Sequence, residues 1–208
     1  MLNEKELKAI ISDKQIDVVI LTETDGLNLR QNFNLPGFQT HYPLAIPGQK
    51  ETEEKVRLIC LTRERPDIKF KIRLDLMSSE TPTIWIEART GNERKYLIMG
   101  LYREWDHNGD TTVQGQIHRM QIITDQVESA CNECERVIVI GDVNLCSESW
   151  HLDDYRHRSI SEILVKTITA CNLQLQNFGR TYFSHHPNEY GEYPSSALDH
   201  AYTTESCT

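Results

Sequence analysis

The stretch VIVIGDVNL (137–145) decides which fold this sequence predicts. Its opening run of β-branched residues is typical of a short buried strand, and Gly141 ends the run where the backbone can approach a neighbour closely. Asp142 and Asn144 follow, and on an extended backbone they would point to the same side. An acid there can position or deprotonate a water, and an amide can donate to a phosphate oxygen. Taken alone the stretch is a weak signal, because turns are rich in the same residue types.

Helices and strands alternate on both sides of this strand. Apolar residues at helical spacing predict helices over residues 3–14, 116–134 and 159–171. Continuous or alternating apolar runs predict further strands over residues 18–21, 56–61, 70–76, 83–88, 96–102 and 197–202. Stretches rich in Pro, Gly and polar residues predict loops over 27–49 and most of 178–208. The short, intermixed strands predict an α/β fold, a layered α/β sandwich with two mixed β-sheets flanked by helices.

The composition is that of an ordinary globular domain. The 208 residues are 38% hydrophobic and 25% charged, which suits a single domain over residues 1–208. No apolar run is long enough to span a bilayer, so we expect no membrane partner. Six cysteines at irregular spacings do not form the pattern of a disulfide framework, which favours an intracellular location, nuclear or cytoplasmic.

The charge balance bears on nucleic acid as a partner. A net charge of −9 argues against a freestanding nucleic-acid binder, because neutralising phosphates requires clustered Lys and Arg. DNA remains a candidate substrate if a metal ion, a local basic rim and neighbouring domains supply the affinity.

Three carboxylates stand at the ends of predicted strands: Glu23, Asp142 and Asp199. Strand ends in α/β proteins border the crevice in which ligands bind. Mg²⁺ takes oxygen ligands, commonly one or two carboxylates together with waters and substrate phosphate. Each acid alone would be a solvated residue at a strand end, but their shared placement favours one metal site.

Four ordered segments carry a resemblance to a known superfamily. They are DVVILTET (17–24), YLIMGLYREW (96–105), VIVIGDVNL (137–145) and SSALDHAY (195–202). In order and context they resemble the endonuclease/exonuclease/phosphatase superfamily, and within it the endonuclease domains of non-LTR retrotransposon polyproteins. The resemblance implies in-line attack of water on a phosphodiester, assisted by Mg²⁺ with Mn²⁺ as the alternative.

The resemblance also assigns roles to the residues nearest the reaction. Glu23 matches the glutamate that binds the catalytic metal, and Tyr102 matches the tyrosine that contacts the scissile phosphate. Asp142 matches the acid that aligns or activates the attacking water. Asn144 matches the amide that stabilises the oxygens of the transition state. We therefore expect the carboxylates of Glu23 and Asp142 to share one metal-sized cavity.

Further residues are expected around the substrate. Asp199, within the Ser-x-Leu-Asp segment that begins at Ser196, matches an acid that orients a catalytic histidine. Thr181 is a looser match to a threonine near the substrate groove. Arg103 and Trp105 directly follow the tyrosine strand, and we expect them to line the groove with Trp105 as a stacking surface. The alternative for both is a rim residue that packs on the fold.

Two parts of the superfamily pattern are missing from this sequence. An Asn-bearing first strand would precede residue 1, and a Ser-Asp-His segment with the last strand would follow Thr208. His200 is not that histidine, because it occupies a strand position that usually holds an aromatic residue. The resemblance thus implies a domain truncated at both ends, without its first and last strands, and we expect residues 1–208 alone to nick DNA negligibly.

Three functions remain open. The leading one is a DNA-nicking endonuclease domain whose partners are a DNA substrate and a reverse transcriptase domain in the same polyprotein. The second is a small-molecule or lipid phosphoesterase of the same superfamily, although the Pro-x-Trp-x-Asp-Arg motif of the inositol phosphatases is absent. The third is a non-catalytic remnant of a dead element, which the retained acids and Asn144 argue against.

Overall fold

A computed structural model of the chain describes residues 4–24, 35–45, 56–105, 110–145, 155–176, 181–183, 191, 195–196 and 198–207. The helices of these residues are α1 (Glu4–Asp13), α2 (Val113–Glu133) and α3 (Tyr155–Ala170). The strands up to the tyrosine strand are β1 (Val18–Thr22), β2 (Phe38–His41), β3 (Leu58–Arg63), β4 (Ile68–Ile72), β5 (Thr83–Thr90) and β6 (Lys95–Tyr102). Those that follow are β7 (Val137–Asp142), β8 (Leu173–Leu175), β9 (Tyr182–Phe183), β10 (Ser195–Ser196) and β11 (Asp199–Thr204).

The strands form two stacked sheets and a small ribbon. The larger sheet has six strands in the order β4-β5-β6-β7-β11-β8 and is mixed, since β6 and β7 are parallel and the other neighbours are antiparallel. The smaller sheet has the order β1-β3-β2 and is antiparallel within the described residues. Among the strands that the structure describes, β9 and β10 pair with each other.

Three apolar layers hold the molecule together. The largest lies between the six-stranded sheet and the helices α2 and α3, with Leu97, Met99 and Met120 fully buried in it. A second layer joins the two sheets, and a third covers the outer face of the smaller sheet with α1. Complete burial of one such side chain stabilises a protein by roughly 1.5–3 kcal/mol. The result is the predicted sandwich of two sheets flanked by helices.

Helix α2 is the crossover that makes β6 and β7 parallel neighbours. Its first turn is capped by Thr112, whose hydroxyl accepts a hydrogen bond from the backbone N–H of Gly115 at 3.1 Å. Asp110 in turn accepts from the backbone N–H of Thr112 at 2.9 Å and so fixes the chain before the helix. Because α2 spans the length of the sheet, both strands end at the same edge.

The structure corrects several predicted elements. Residues 70–76 were predicted as one strand, but β4 ends at Ile72 and Leu74–Leu76 form a 3-10 helix. The predicted loop over 27–49 contains β2, and β8 was not predicted. Both are short strands whose pairing partners are remote in sequence. The described cysteines are free. No helix among the described residues is long and apolar enough to cross a membrane.

Candidate active site

Three of the predicted site residues lie in one row across neighbouring strands. Tyr102 ends β6, Asp142 ends β7 and Asp199 begins β11, and the strand register pairs Tyr102 with Asp142 and Asp142 with Asp199. Directly opposite residues on adjacent strands project to the same face of a sheet. Tyr102 packs in the layer between the two sheets, so this row faces the end of that layer.

Glu23 approaches the same place from the smaller sheet. It directly follows β1, is exposed and has a φ of 54°, in the left-handed region that costs a non-glycine residue about 1–2 kcal/mol. The next residue, Thr24, is buried and its hydroxyl donates to the carbonyl oxygen of Val56 at 2.5 Å. The bond holds the chain in place immediately after Glu23.

The carboxyl group of Asp142 has a pKa close to neutral pH. Only 7% of the residue is exposed, and burial is the main cause that raises its pKa from 3.8 to about 7. The hydrogen bond from the backbone N–H of Asn144, 2.8 Å long, opposes this shift. The negative charges of Asp199 and Glu23 raise the pKa further, and the charge of Arg103 lowers it. A carboxyl group with this pKa can exchange a proton at neutral pH.

Gly141 is required by the way β7 lies beside β6. Its φ is +151°, and a Cβ atom built on it would lie 1.9 Å from the carbonyl oxygen of Leu101. No real side chain can occupy that space without moving one of the two parallel strands. The glycine before Asp142 therefore permits the strand pairing that places Asp142 beside Tyr102.

Asn144 does not lie on an extended backbone, as the sequence had suggested. β7 ends at Asp142, and Asn144 adopts a φ of 52°, a left-handed conformation that Asn tolerates better than most residues. The expectation that alternation aligns Asp142 with Asn144 is therefore wrong. The two are linked instead by the Asn144 backbone N–H, and the side-chain amide of Asn144 donates to the carbonyl oxygen of Arg103 at 2.8 Å.

Arg103 is also placed differently from its prediction. Only 1% of the residue is exposed, so its guanidinium does not line a groove. It donates to the carbonyl oxygens of Val143 at 2.5 Å and Asn144 at 2.7 Å, and to the side-chain oxygen of Gln116. Trp105 is 42% exposed, and its carbonyl oxygen accepts from the side chain of Gln116. A stacking role for this indole stays a prediction.

Thr181 anchors the chain next to the third acid. Its hydroxyl accepts hydrogen bonds from the backbone N–H groups of Leu198 at 3.1 Å and Asp199 at 3.0 Å. It therefore positions the start of β11. Ser196 lies in β10, and its side chain is outside the described part of the structure.

Arg57 and Glu104 border the site and were not predicted. The Arg57 guanidinium lies 6.0 Å from the ring centroid of Tyr102 and forms an ion pair with Glu104 at 3.7 Å. Neither residue belongs to a motif, and their proximity depends on the stacking of β3 against β6, which local sequence does not reveal. His200 is buried and hydrogen-bonds to the hydroxyl of Tyr202 at 2.6 Å, on the face opposite Asp199.

The donor set fits a hard divalent cation bound with help from water or substrate. Within the described ranges, no three His, Cys, Asp or Glu side chains converge closely enough to enclose a metal ion by themselves. The charges of Asp199 and Glu23 nevertheless both raise the pKa of Asp142, so the three carboxyl groups lie close enough to interact electrostatically. Carboxylates in this number, with open coordination positions, suit Mg²⁺, which retains several waters.

Comparisons with known proteins identify the family and the fold. A family model described as endonuclease-reverse transcriptase matches residues 96–208. No curated protein sequence matches the chain. Among solved structures, the endonuclease domain of TRAS1, a telomere-specific non-LTR retrotransposon, is 17% identical with a TM-score of 0.65, covering 96% of this chain and 77% of that one.

Two further solved structures have a similar fold. The catalytic domain of Xenopus laevis APE2 is 8% identical with a TM-score of 0.63, covering 96% of this chain and 77% of its own. An AP endonuclease from Archaeoglobus fulgidus is 12% identical with a TM-score of 0.60, covering 96% and 80% respectively. At such low identity these likenesses concern the fold alone.

Proposed function

Because the chain belongs to the endonuclease-reverse transcriptase family, within the endonuclease/exonuclease/phosphatase superfamily, we propose that it is a metal-dependent phosphodiesterase that nicks DNA. The observation that carries the proposal is the row of Tyr102, Asp142 and Asp199 at adjoining strand ends, with the charge of Glu23 acting on Asp142. Together these groups would supply a proton acceptor, a phenol and ligands for a cation at one edge of the sandwich.

Asp142 is proposed to position the attacking water and accept its proton. Its burial supports this role, because a carboxyl group with a pKa of about 7 is matched to neutral pH. Asp199, beside it on β11, is proposed to orient a further polar group at the site. Tyr102 is proposed to contact the phosphate that is cleaved, and one N–H of the Asn144 side chain remains to stabilise its oxygens, since the other binds the Arg103 carbonyl.

Glu23 is the proposed metal ligand, with Asp142 close by. When bound, Mg²⁺ or Mn²⁺ would polarise the phosphodiester and stabilise negative charge that develops on its oxygens. The exposed position of Glu23 suits a ligand that shares its cation with substrate and water. Ser196, Thr181 and Trp105 are proposed to lie along the DNA, with Thr181 acting through its bonds to the backbone of β11.

DNA is the substrate favoured by the endonuclease-reverse transcriptase family to which the chain belongs. The family description pairs the endonuclease with a reverse transcriptase, so we propose a reverse transcriptase domain in the same polyprotein as its partner. That domain would contribute DNA affinity, which a chain with a net charge of −9 supplies poorly.

The test is nicking of supercoiled plasmid by a preparation of the gene product that contains residues 1–208. We expect conversion to open circles with Mg²⁺ or Mn²⁺ and none with EDTA. Asp142→Asn should reduce the rate by about 1,000-fold or more, since it removes a member of a catalytic unit. Asp125→Asn, a change to an exposed acid on α2, is the matched control and should leave the rate unchanged. Nicking that persists in EDTA, or in Asp142→Asn, would contradict the proposal.

A further inference from the structure

We infer that Arg103 is a positioning residue, whose guanidinium fixes the turn that presents Asp142 and Asn144 to the substrate. The inference about geometry stands on the contacts of Arg103, whereas its consequence for catalysis rests on the proposed function. Arg103 itself touches no substrate, because it is buried.

Five hydrogen bonds join Arg103 to its surroundings at the two strand ends. The side chain donates to the carbonyl oxygens of Val143 at 2.5 Å and Asn144 at 2.7 Å. The Arg103 backbone N–H donates to the carbonyl oxygen of Asp142 at 2.8 Å, and the Asn144 side chain donates back to the Arg103 carbonyl at 2.8 Å. The remaining bond goes to Gln116. Each carbonyl oxygen from Asp142 to Asn144 thus accepts a hydrogen bond from Arg103, directly after β6.

The guanidinium matches a particular backbone conformation. In an extended strand, successive carbonyl groups point to opposite sides, so one fork cannot bind two of them. With a φ of 52°, Asn144 departs from the extended backbone, and the carbonyls of Val143 and Asn144 both accept from the Arg103 side chain. The planar fork of an arginine can then bind both, and a lysine ammonium offers no such geometry. The bonds of Arg103 therefore stabilise the conformation of this turn.

Burial of the charged guanidinium of Arg103 is energetically unfavourable. Removing a guanidinium from water costs several kcal/mol, and burial is the main reason that the pKa of Arg103 is lowered to about 10. The groups it bonds are neutral oxygens, and the charge of Asp142 is the leading favourable influence on it. The cost of burying Arg103 is explained if its guanidinium stabilises the turn after β7 together with the carboxylate of Asp142.

Gln116 extends this arrangement to α2. Its side-chain oxygen accepts from Arg103, and its side-chain nitrogen donates to the carbonyl oxygen of Trp105. The amide is oriented by these two bonds, because arginine can only donate and a carbonyl can only accept. The first turns of α2 therefore support both the guanidinium and the chain that follows Tyr102.

Arg119 provides a matched control. It is a second buried arginine on α2, 5% exposed, and it donates to the carbonyl oxygen of Asp110 at 2.7 Å. Its bonds within the described residues go to the segment that precedes α2 and not to the turn after β7. Replacing Arg119 therefore removes a buried guanidinium of the same kind without touching Asp142 or Asn144.

The experiment compares Arg103→Met, Arg103→Lys and Arg119→Met. Hydrogen exchange at the Asn144 amide, which donates to Asp142, reports the turn independently of activity. We expect Arg103→Met to speed this exchange by about 10-fold or more, since it removes charge-assisted hydrogen bonds. We expect kcat for Mg²⁺-dependent nicking to fall by about 100-fold, as for a misplaced catalytic group, with KM within about twofold. Arg103→Lys should recover only part of either loss, and Arg119→Met should change neither at temperatures where it is folded.

Other outcomes overturn the inference. Equal effects of Arg103→Met and Arg119→Met would mean a purely structural role, and a raised KM at constant kcat would mean direct substrate contact. Unchanged exchange in Arg103→Met would refute the effect on the turn. If Arg103→Met does not fold, Gln116→Met is measured in its place. It should speed exchange at the Asn144 amide by less than is expected for Arg103→Met, and an unchanged rate would refute the inference. An inactive wild type with the expected exchange pattern would refute the proposed function alone.

Discussion

Asp142 is the residue at which stability and the proposed chemistry oppose each other. Burial and two neighbouring carboxylates make its ionised form unfavourable, and a pKa of about 7 measures that penalty. In the unfolded chain the same group ionises near pH 3.8. Below about pH 4 both states carry a proton, so the folded protein bears no penalty. Stability is lost as the pH rises toward 7 and levels off above it.

We predict that Asp142→Asn stabilises the metal-free protein. At about pH 8 the substitution should raise the free energy of unfolding by on the order of 4 kcal/mol. It removes a group whose pKa differs by about three units between the folded and the unfolded protein. At about pH 4 the gain should fall below about 1 kcal/mol. Denaturant unfolding of both proteins in EDTA at the two pH values measures the difference. A gain that does not depend on pH would mean that Asp142 is not the group that titrates.

Single residues were predicted from sequence to different degrees. Asp142 was recognisable because its segment, VIVIGDVNL, stands in order with three other segments that carry the resemblance, and its role stays a prediction. The role of Arg103 was not, since nothing in GLYREW distinguishes a buried arginine from one on the rim of a groove. Its burial depends on Gln116 and the turn at Val143, which come from elements that meet only in the folded chain.

At the scale of elements, an ion network ties the end of α2 to the six-stranded sheet. Arg73, which follows β4, pairs with Glu133 of α2 at 2.6 Å and with Glu87 of β5 at 3.3 Å. Asp75 binds the same guanidinium at 2.6 Å, and Lys95 of β6 pairs with Glu133. These bonds lower the pKa of Glu133 to about 2, with Arg73 the largest cause.

We predict unequal costs at the two ends of this network. Arg73→Met should lower the free energy of unfolding by roughly 2–4 kcal/mol, because buried Glu87 loses one of its cations. Glu133→Gln should cost less than about 1 kcal/mol, since its side chain is 37% exposed and solvent screens the pair. Urea unfolding with and without about 0.5 M NaCl checks both, and salt should reduce only the smaller cost. Equal costs would show that burial does not govern the network.

Elements with strong internal patterns were predicted well. Helix α2 and strands β5, β6 and β7 have continuous or periodic apolar faces, and the structure shows them within a few residues of their predicted bounds. β2 and β8 have four and three residues, too few to establish a period. The apolar alternation in residues 70–76 continues past the last residue of β4. It does not register the hydrogen bonds from the Arg73 side chain to Asp75, which turn the chain there.

At the scale of the molecule, the order of strands in space differs from their order in the chain. β11 lies between β7 and β8 and pairs with both, although it follows them in sequence. Sequence periodicity identifies strands but does not choose their neighbours, so this order was beyond prediction. The row of Tyr102, Asp142 and Asp199 exists only because β11 takes that position.

We predict that β11 can be supplied as a separate peptide. Residues 1–194 alone should not unfold cooperatively, because β7 and β8 lose their common partner and unpaired strand edges are unfavourable. Adding a peptide of residues 195–208 should restore a cooperative transition, monitored by circular dichroism. The same peptide with Tyr202→Lys is the control and should fail, since Tyr202 is 2% exposed in the core. Cooperative unfolding of residues 1–194 by themselves would contradict this account of the sheet.

The position of β11 between β7 and β8 also determines when the six-stranded sheet can form during synthesis. On the ribosome, the five other strands of its sheet emerge before it, so the sheet stays open along β7 until translation has passed residue 204. Asp199 arrives with that same strand, and the acidic row is complete only at that moment. A nascent chain therefore acquires its proposed cutting centre only when β11 joins β7, and a product released before residue 199 would lack Asp199 and with it that centre.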